Sequence, residues 1–233
     1  MIQPMNIHRA ALYYAPAPGS AWHAFGSRWL GRDAVSGQEL PQPPLPGVDL
    51  HALTSEPRRY GFHATLKAPF RLAEGTTLES LREAMETFTQ AQRALPLGLL
   101  SPQWMDGYVA LLPAPEARPA ILKLAGQVVE AFEPFRAPLS EAELARRHPD
   151  SLTPRQNALL AQYGYPYVQE EFRFHMTLSN SVDARQADTL ITAVAGQLEA
   201  LRHAPPRLDA IALFVEPAPC LPFIAVRRCP LRG

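Results

Sequence analysis

Cysteine is scarce in this chain: among 233 residues only Cys220 and Cys229 carry thiols. They flank a strand-like stretch 9 residues apart, a spacing that gives no stapled framework, so free thiols are expected. There is no Cys-x-x-Cys and no His-Glu pair at helical spacing, so no metal site is recognisable and none is expected. Charge of one sign is missing as well. The 22 cationic and 22 acidic side chains cancel, which argues against a large basic surface for holding long nucleic acid nonspecifically. Lysine is nearly absent, 2 against 20 arginines, a bias read as genomic rather than functional. No apolar run approaches a membrane span, and the apolar stretch Ala10 to Ala15 runs into Pro16 and Pro18 without a signal-peptide pattern. The expectation is a cytoplasmic protein with no cofactor, no membrane association and no obligate protein partner.

What the sequence does contain is one tetrapeptide pattern twice, His63-Ala64-Thr65-Leu66 and His175-Met176-Thr177-Leu178. Both copies alternate with period two, as a half-buried strand does. Phe172, Phe174, Met176 and Leu178 fall on one face, and Arg173, His175, Thr177 and Ser179 on the other. In the first copy Tyr60, Phe62, Ala64 and Leu66 share the apolar face, opposite Arg59, His63, Thr65 and Lys67. Each strand therefore offers a His, a Thr and a cation on one side. Side chains two apart on a strand are about 6 to 7 Å apart, so one phosphate-sized group can reach both imidazole and hydroxyl.

The surroundings repeat too. After His63 come an amphipathic run (Leu78, Leu81, Ala84, Met85, Phe88), a strand (Leu97 to Met105), a turn at Asp106-Gly107 and a second strand (Tyr108 to Leu112). After His175 come a second amphipathic run (Leu190, Ile191, Val194, Leu198, Leu201), a strand (Leu208 to Val215), a Pro-rich turn and a last strand (Phe223 to Arg227). This order predicts an internal duplication and an α+β fold of two pseudo-symmetric helix-on-sheet lobes around a central cleft. The chain, 1–233, is read as a single domain: a first lobe at about 52–115, a helical insert at about 132–168, and a second lobe at about 169–230. Within the insert, Ser140-Glu141-Ala142-Glu143 has the form of a capping box, and Thr153-Pro154 places a capping Thr before a helical Pro, with Gly164 to end the turn. The insert also carries Arg146, Arg147, His148 and Arg155.

At these residues the sequence resembles the 2H phosphoesterase superfamily, named for two His-x-[Ser/Thr]-hydrophobic motifs and including the LigT-like RNA end-processing proteins. The flanks Arg59-Tyr60-Gly61-Phe62 and Lys67-Ala68-Pro69-Phe70, with Phe172-Arg173-Phe174, resemble the DUF1045 branch, whose members are often encoded beside phosphonate-utilisation genes. Ala11-Leu12-Tyr13-Tyr14-Ala15-Pro16, Phe25-Gly26 and Trp29-Leu30-Gly31-Arg32-Asp33 extend that likeness toward the N-terminus. The resemblance implies a metal-independent phosphodiesterase, a phosphoric diester hydrolase that opens a cyclic or diester phosphate of a small nucleotide, a sugar or an RNA end. His63 and His175 would act as acid and base, an ordinary pKa near 6.5 making both protonation states accessible. Thr65 and Thr177 would hold the non-bridging oxygens, with Lys67 and Arg173 as cations for the substrate. A non-catalytic protein of the same fold that binds a phosphate end or RNA is the alternative. Tyr13, Tyr14, Trp22, Trp104 and Tyr108 are aromatics able to stack on a base or simply to fill core and hairpin.

Overall fold

The amphipathic runs become helices, and the alternating segments become strands only from Ala64 and Met176 onward: Arg59 and Tyr60 end a short helix, and His63 and His175 each stand just before their strand. The computed structural model describes residues 7–233; the expectation of no leader falls partly on residues 1–6, outside the described residues. The strands are β1 (Arg9–Tyr14), β2 (Ala64–Phe70), β3 (Leu95–Pro96), β4 (Ser101–Met105), β5 (Tyr108–Leu112), β6 (Met176–Ser181), β7 (Arg207–Leu208), β8 (Ala210–Glu216) and β9 (Ile224–Pro230). The α-helices are α1 (Ala21–Leu30), α2 (Leu50–Leu53), α3 (Ser55–Tyr60), α4 (Leu78–Gln90), α5 (Arg118–Ala131), α6 (Glu141–Ala145), α7 (Pro154–Tyr163) and α8 (Ala184–Leu198).

Local chemistry sets most boundaries. Thr77 caps α4 through the Ser80 amide, and Asp183 caps α8 through the Gln186 amide, so each main helix after a motif strand starts on a side-chain oxygen. Ser140 with Glu143 and Thr153 with Gln156 form the same boxes on α6 and α7, and Gly164 ends α7 at φ 71°. Asp106 and Gly107 both take positive φ, 46° and 96°, as a two-residue hairpin turn between β4 and β5 requires.

The fold is mixed α+β with antiparallel sheets. One sheet has the order β2-β1-β8-β9, a second β4-β5-β6, and β3 pairs with β7. The chain order after each motif is strand, helix, short strand, hairpin in both halves. The pairing, however, crosses between them. The hairpin β8–β9, which follows His175, completes the sheet containing β2, and the hairpin β4–β5, which follows His63, pairs with β6. The segments 52–115 and 169–230 therefore do not each close on their own hairpin. The reason lies in burial: every residue of β8 is buried, so that strand needs a neighbour on both edges, and β1 and β9 supply them. Helices follow the same exchange, α4 packing on β8 and β9 and α8 on β4 and β5. No helix among the described residues is long and apolar enough to cross a membrane.

Candidate functional site

His63 stands between the end of α3 and β2, where Gly61 at φ 79° and ψ 174° turns the chain. Its Nδ1 donates to the Gly61 carbonyl at 2.8 Å. His175, just before β6, makes the equivalent bond from Nδ1 to the Arg173 carbonyl, also 2.8 Å. A carbonyl can only accept, so in both neutral rings the proton sits on Nδ1 and Nε2 keeps its lone pair. The Nε2 of His63 receives the Thr65 hydroxyl at 3.2 Å. The same device, a ring held by the carbonyl two residues back, occurs in both copies of the motif.

Other elements hold the two motifs against each other. Asn180 at the end of β6 accepts the Glu56 amide at 2.9 Å and donates to the Ala52 carbonyl (2.9 Å) and the Ser55 hydroxyl (2.8 Å). It thus ties the strand after His175 to the helix before His63. Trp29 of α1 adds an indole bond of 2.9 Å to the Leu178 carbonyl. Two adjoining cavities result. One of about 530 Å³ is lined by Thr65, His175, Tyr108 and Arg173, among others. The other, about 290 Å³, is lined by His63, Thr177, Tyr60 and Tyr108. Each cavity joins the His of one copy to the Thr of the other, and Tyr108 belongs to both.

Electrostatically both rings favour the neutral form. Burial pushes His63 down to about 4, the Gly61 bond opposing and the His175 charge adding to the effect. Burial also lowers His175, the bond to the Arg173 carbonyl opposing and the Arg173 charge adding. Tyr13 stacks on His63 with centroids 3.8 Å apart and planes 27° apart, and Tyr108 lies 5.7 Å from His175. Tyr13 is a neighbour of the site that sequence reading gave no definite role. Its position follows from pairing opposite Thr65, a long-range register that no local pattern encodes.

The two expected cations fare differently. Arg173 is exposed at the cavity rim, 3.6 Å from Asp106. Lys67 is not a free cation beside His63: it is buried, with Nζ 2.8 Å from Glu133 and 3.1 Å from the Val129 carbonyl. The cause is a bulge at Leu66. Thr65 stands opposite Tyr13 and Lys67 opposite Leu12, successive residues of β1 that face opposite ways, so Lys67 turns toward α5. The insert contributes Gln156, Tyr165 and Tyr167 to the wall of the larger cavity. Among the described residues no three His, Cys, Asp or Glu side chains converge as a metal would need.

Residues 65–224 match the family model described as "Protein of unknown function (DUF1045)". The chain is 40% identical over 238 residues to a protein of Janthinobacterium sp. (strain Marseille) named ribose 1,5-bisphosphate phosphokinase PhnN, covering 98% of this chain and 52% of that protein. It is 33% identical over 210 residues to a protein of the same name from Laribacter hongkongensis (strain HLHK9), covering 90% of this chain and 48% of that one. The chain spans about half the length of the curated relatives it matches. These names overturn the expected phosphodiesterase: a phosphokinase is a phosphoryl transferase, and neither relative is named as a hydrolase. The physical reason for the error is plain. Two imidazoles and two hydroxyls around a phosphate-sized space indicate a phosphate but not what attacks or leaves it. The residues matched include Thr65, Lys67, Arg173, His175 and Thr177, with His63 two positions ahead. The chain belongs to the DUF1045 family.

Proposed function

We propose that this chain is the part of a ribose-phosphate phosphoryl-transfer system that binds the phosphorylated sugar, with one phosphate lying between His63 and His175. The observation that carries the reading is the repeated tautomer lock, Nδ1 to the carbonyl two residues back, which makes each Nε2 an acceptor: that of His175 faces a sugar hydroxyl or a protonated phosphate oxygen, and that of His63 takes the Thr65 hydroxyl until such a donor replaces it. Thr177 supplies a hydroxyl donor for a phosphate oxygen, Thr65 supplies a second when its hydroxyl turns from the His63 Nε2, and Arg173 supplies a charge at the rim. The likeness of the paired motifs to the 2H phosphoesterase superfamily supports a phosphate cleft between two lobes. The relatives' name supports ribose bisphosphate as the ligand.

The reading confines this chain to the sugar phosphate. A nucleotide's phosphates are commonly held by a Gly-x-x-x-x-Gly-Lys loop, and the chain's two lysines occur instead as Leu66-Lys67-Ala68 and Leu122-Lys123-Leu124. Isothermal titration with ribose 1,5-bisphosphate tests the proposal. Binding is expected, and His63→Ala and His175→Ala should each weaken it at least about 10-fold, as loss of a hydrogen bond to a charged group does. Absence of binding at millimolar ligand, or affinity indifferent to both substitutions, would remove the sugar phosphate from this cleft.

A further inference from the structure

Beside the histidine cavities lies a third, of about 270 Å³, with a different lining. Arg9, Arg59, Arg71, Arg136, Arg146 and Arg147 all reach it, with Lys67 at its wall, in a chain whose formal charge is zero. Three carboxylates answer them. Glu216 pairs with Arg9 and Arg59, Glu143 with Arg71, and Glu133 with both Lys67 and Arg136. Seven cations against three anions leave the cavity strongly positive. Arg146 and Arg147 have no carboxylate partner among the described residues, Arg147 instead lying 5.0 Å over the Tyr165 ring. The buried Nε of Arg59 has no hydrogen-bond partner there either. Like charges gathered at this density repel, and a bound anion relieves them.

The cavity also shares walls with the cleft. Tyr60 lines both it and the His63 cavity, while Ala68, Tyr165 and Val168 line both it and the His175 cavity. We infer that the arginine cavity seats the second phosphate of a bisphosphorylated sugar whose first phosphate lies at the histidines. This rests on the sugar-phosphate reading above and deepens it: the chain selects two phosphates at the two ends of one pentose, and the helical insert supplies the selecting charges. Arginine suits the task because its fork matches phosphate oxygens in pairs.

The test is titration of the full chain and of an Arg146→Gln/Arg147→Gln variant with ribose 1,5-bisphosphate, ribose 5-phosphate and ATP. Arg146 is exposed and Arg147 half-buried, and neither side chain makes a hydrogen bond among the described residues, so circular dichroism of the variant should match the parent. The parent should prefer the bisphosphate to the monophosphate by at least about 10-fold, the size of one charge-assisted pair, and the variant by about 2-fold or less. An equal preference in parent and variant overturns the inference, as does ATP binding that alone depends on the two arginines, since that would assign the cavity to a nucleotide. Failure of the underlying reading looks different: His63→Ala and His175→Ala would leave all sugar phosphate binding intact while the arginine variant lost it.

Discussion

His63 couples the site to pH. Its folded pKa lies near 4 against an ordinary 6.5, so between those values the unfolded chain holds a proton that the folded chain does not. Stability is therefore complete above about pH 6.5 and falls as pH drops toward about 4. His175, shifted the same way, adds to the loss in the part of that window below 6.5. Allowing for the ring's partial exposure, the loss assigned to His63 between about pH 7.5 and pH 5 should be on the order of 1 to 2 kcal/mol. Urea unfolding of the parent and of His63→Gln at both pH values isolates it by difference. Carboxylates such as Glu143, held near 2 by Arg71, lose their contribution only as pH falls toward and below the ordinary 4.5, and they contribute equally to both proteins, so they cancel in the difference. A variant that loses as much stability as the parent would show that His63 is not held neutral.

At the scale of elements, the turn from α3 into β2 does what the motif alone cannot. Gly61 sits at φ 79° and ψ 174°, a region open essentially only to glycine, and an added Cβ would come 2.5 Å from the Ala34 Cβ. Its carbonyl is the acceptor that orients His63. Gly61→Ala should cost about 2 to 4 kcal/mol in stability and weaken the proposed sugar phosphate binding beyond what destabilisation explains, checked by titration well below the melting temperature. Unchanged binding would mean that the carbonyl lock is dispensable. Such short-range devices are where the sequence was readable. The capping box at Ser140, the capping Thr153 before Pro154 and the Asp106-Gly107 turn are set by residues within three positions of each other, and all appear as expected. The apolar face of each motif is likewise buried at Phe62, Ala64, Leu66, Phe174, Met176 and Leu178. What escaped was register. The Leu66 bulge that withdraws Lys67, the pairing that brings Tyr13 onto His63, and the extension of β9 through the buried Cys229 all depend on distant strands. Periodicity says which way a residue faces only while the ladder is regular.

For the whole molecule, the repeat predicted which elements exist but not which partners they take. Two lobes built from contiguous sequence and two sheets built by exchange have the same strand, helix and hairpin order, so no local pattern separates them. They differ sharply in what a severed half can do. A cut in the insert, giving fragments 1–150 and 151–233, leaves β1 without β8 along the register Arg9↔Glu216 to Tyr13↔Ala212, and β5 without β6. It also strips α4 from β8 and β9, and α8 from β4 and β5. Each fragment would then expose ladder edges and apolar faces that are buried in the intact chain, the condition under which strands aggregate rather than fold. Neither fragment alone should show a cooperative thermal transition. Expressed together, they should assemble and recover the cooperative transition of the intact chain, because every interface is then present. A fragment that melts cooperatively by itself would mean that one half carries a complete sheet and core of its own, contrary to the exchanged pairing.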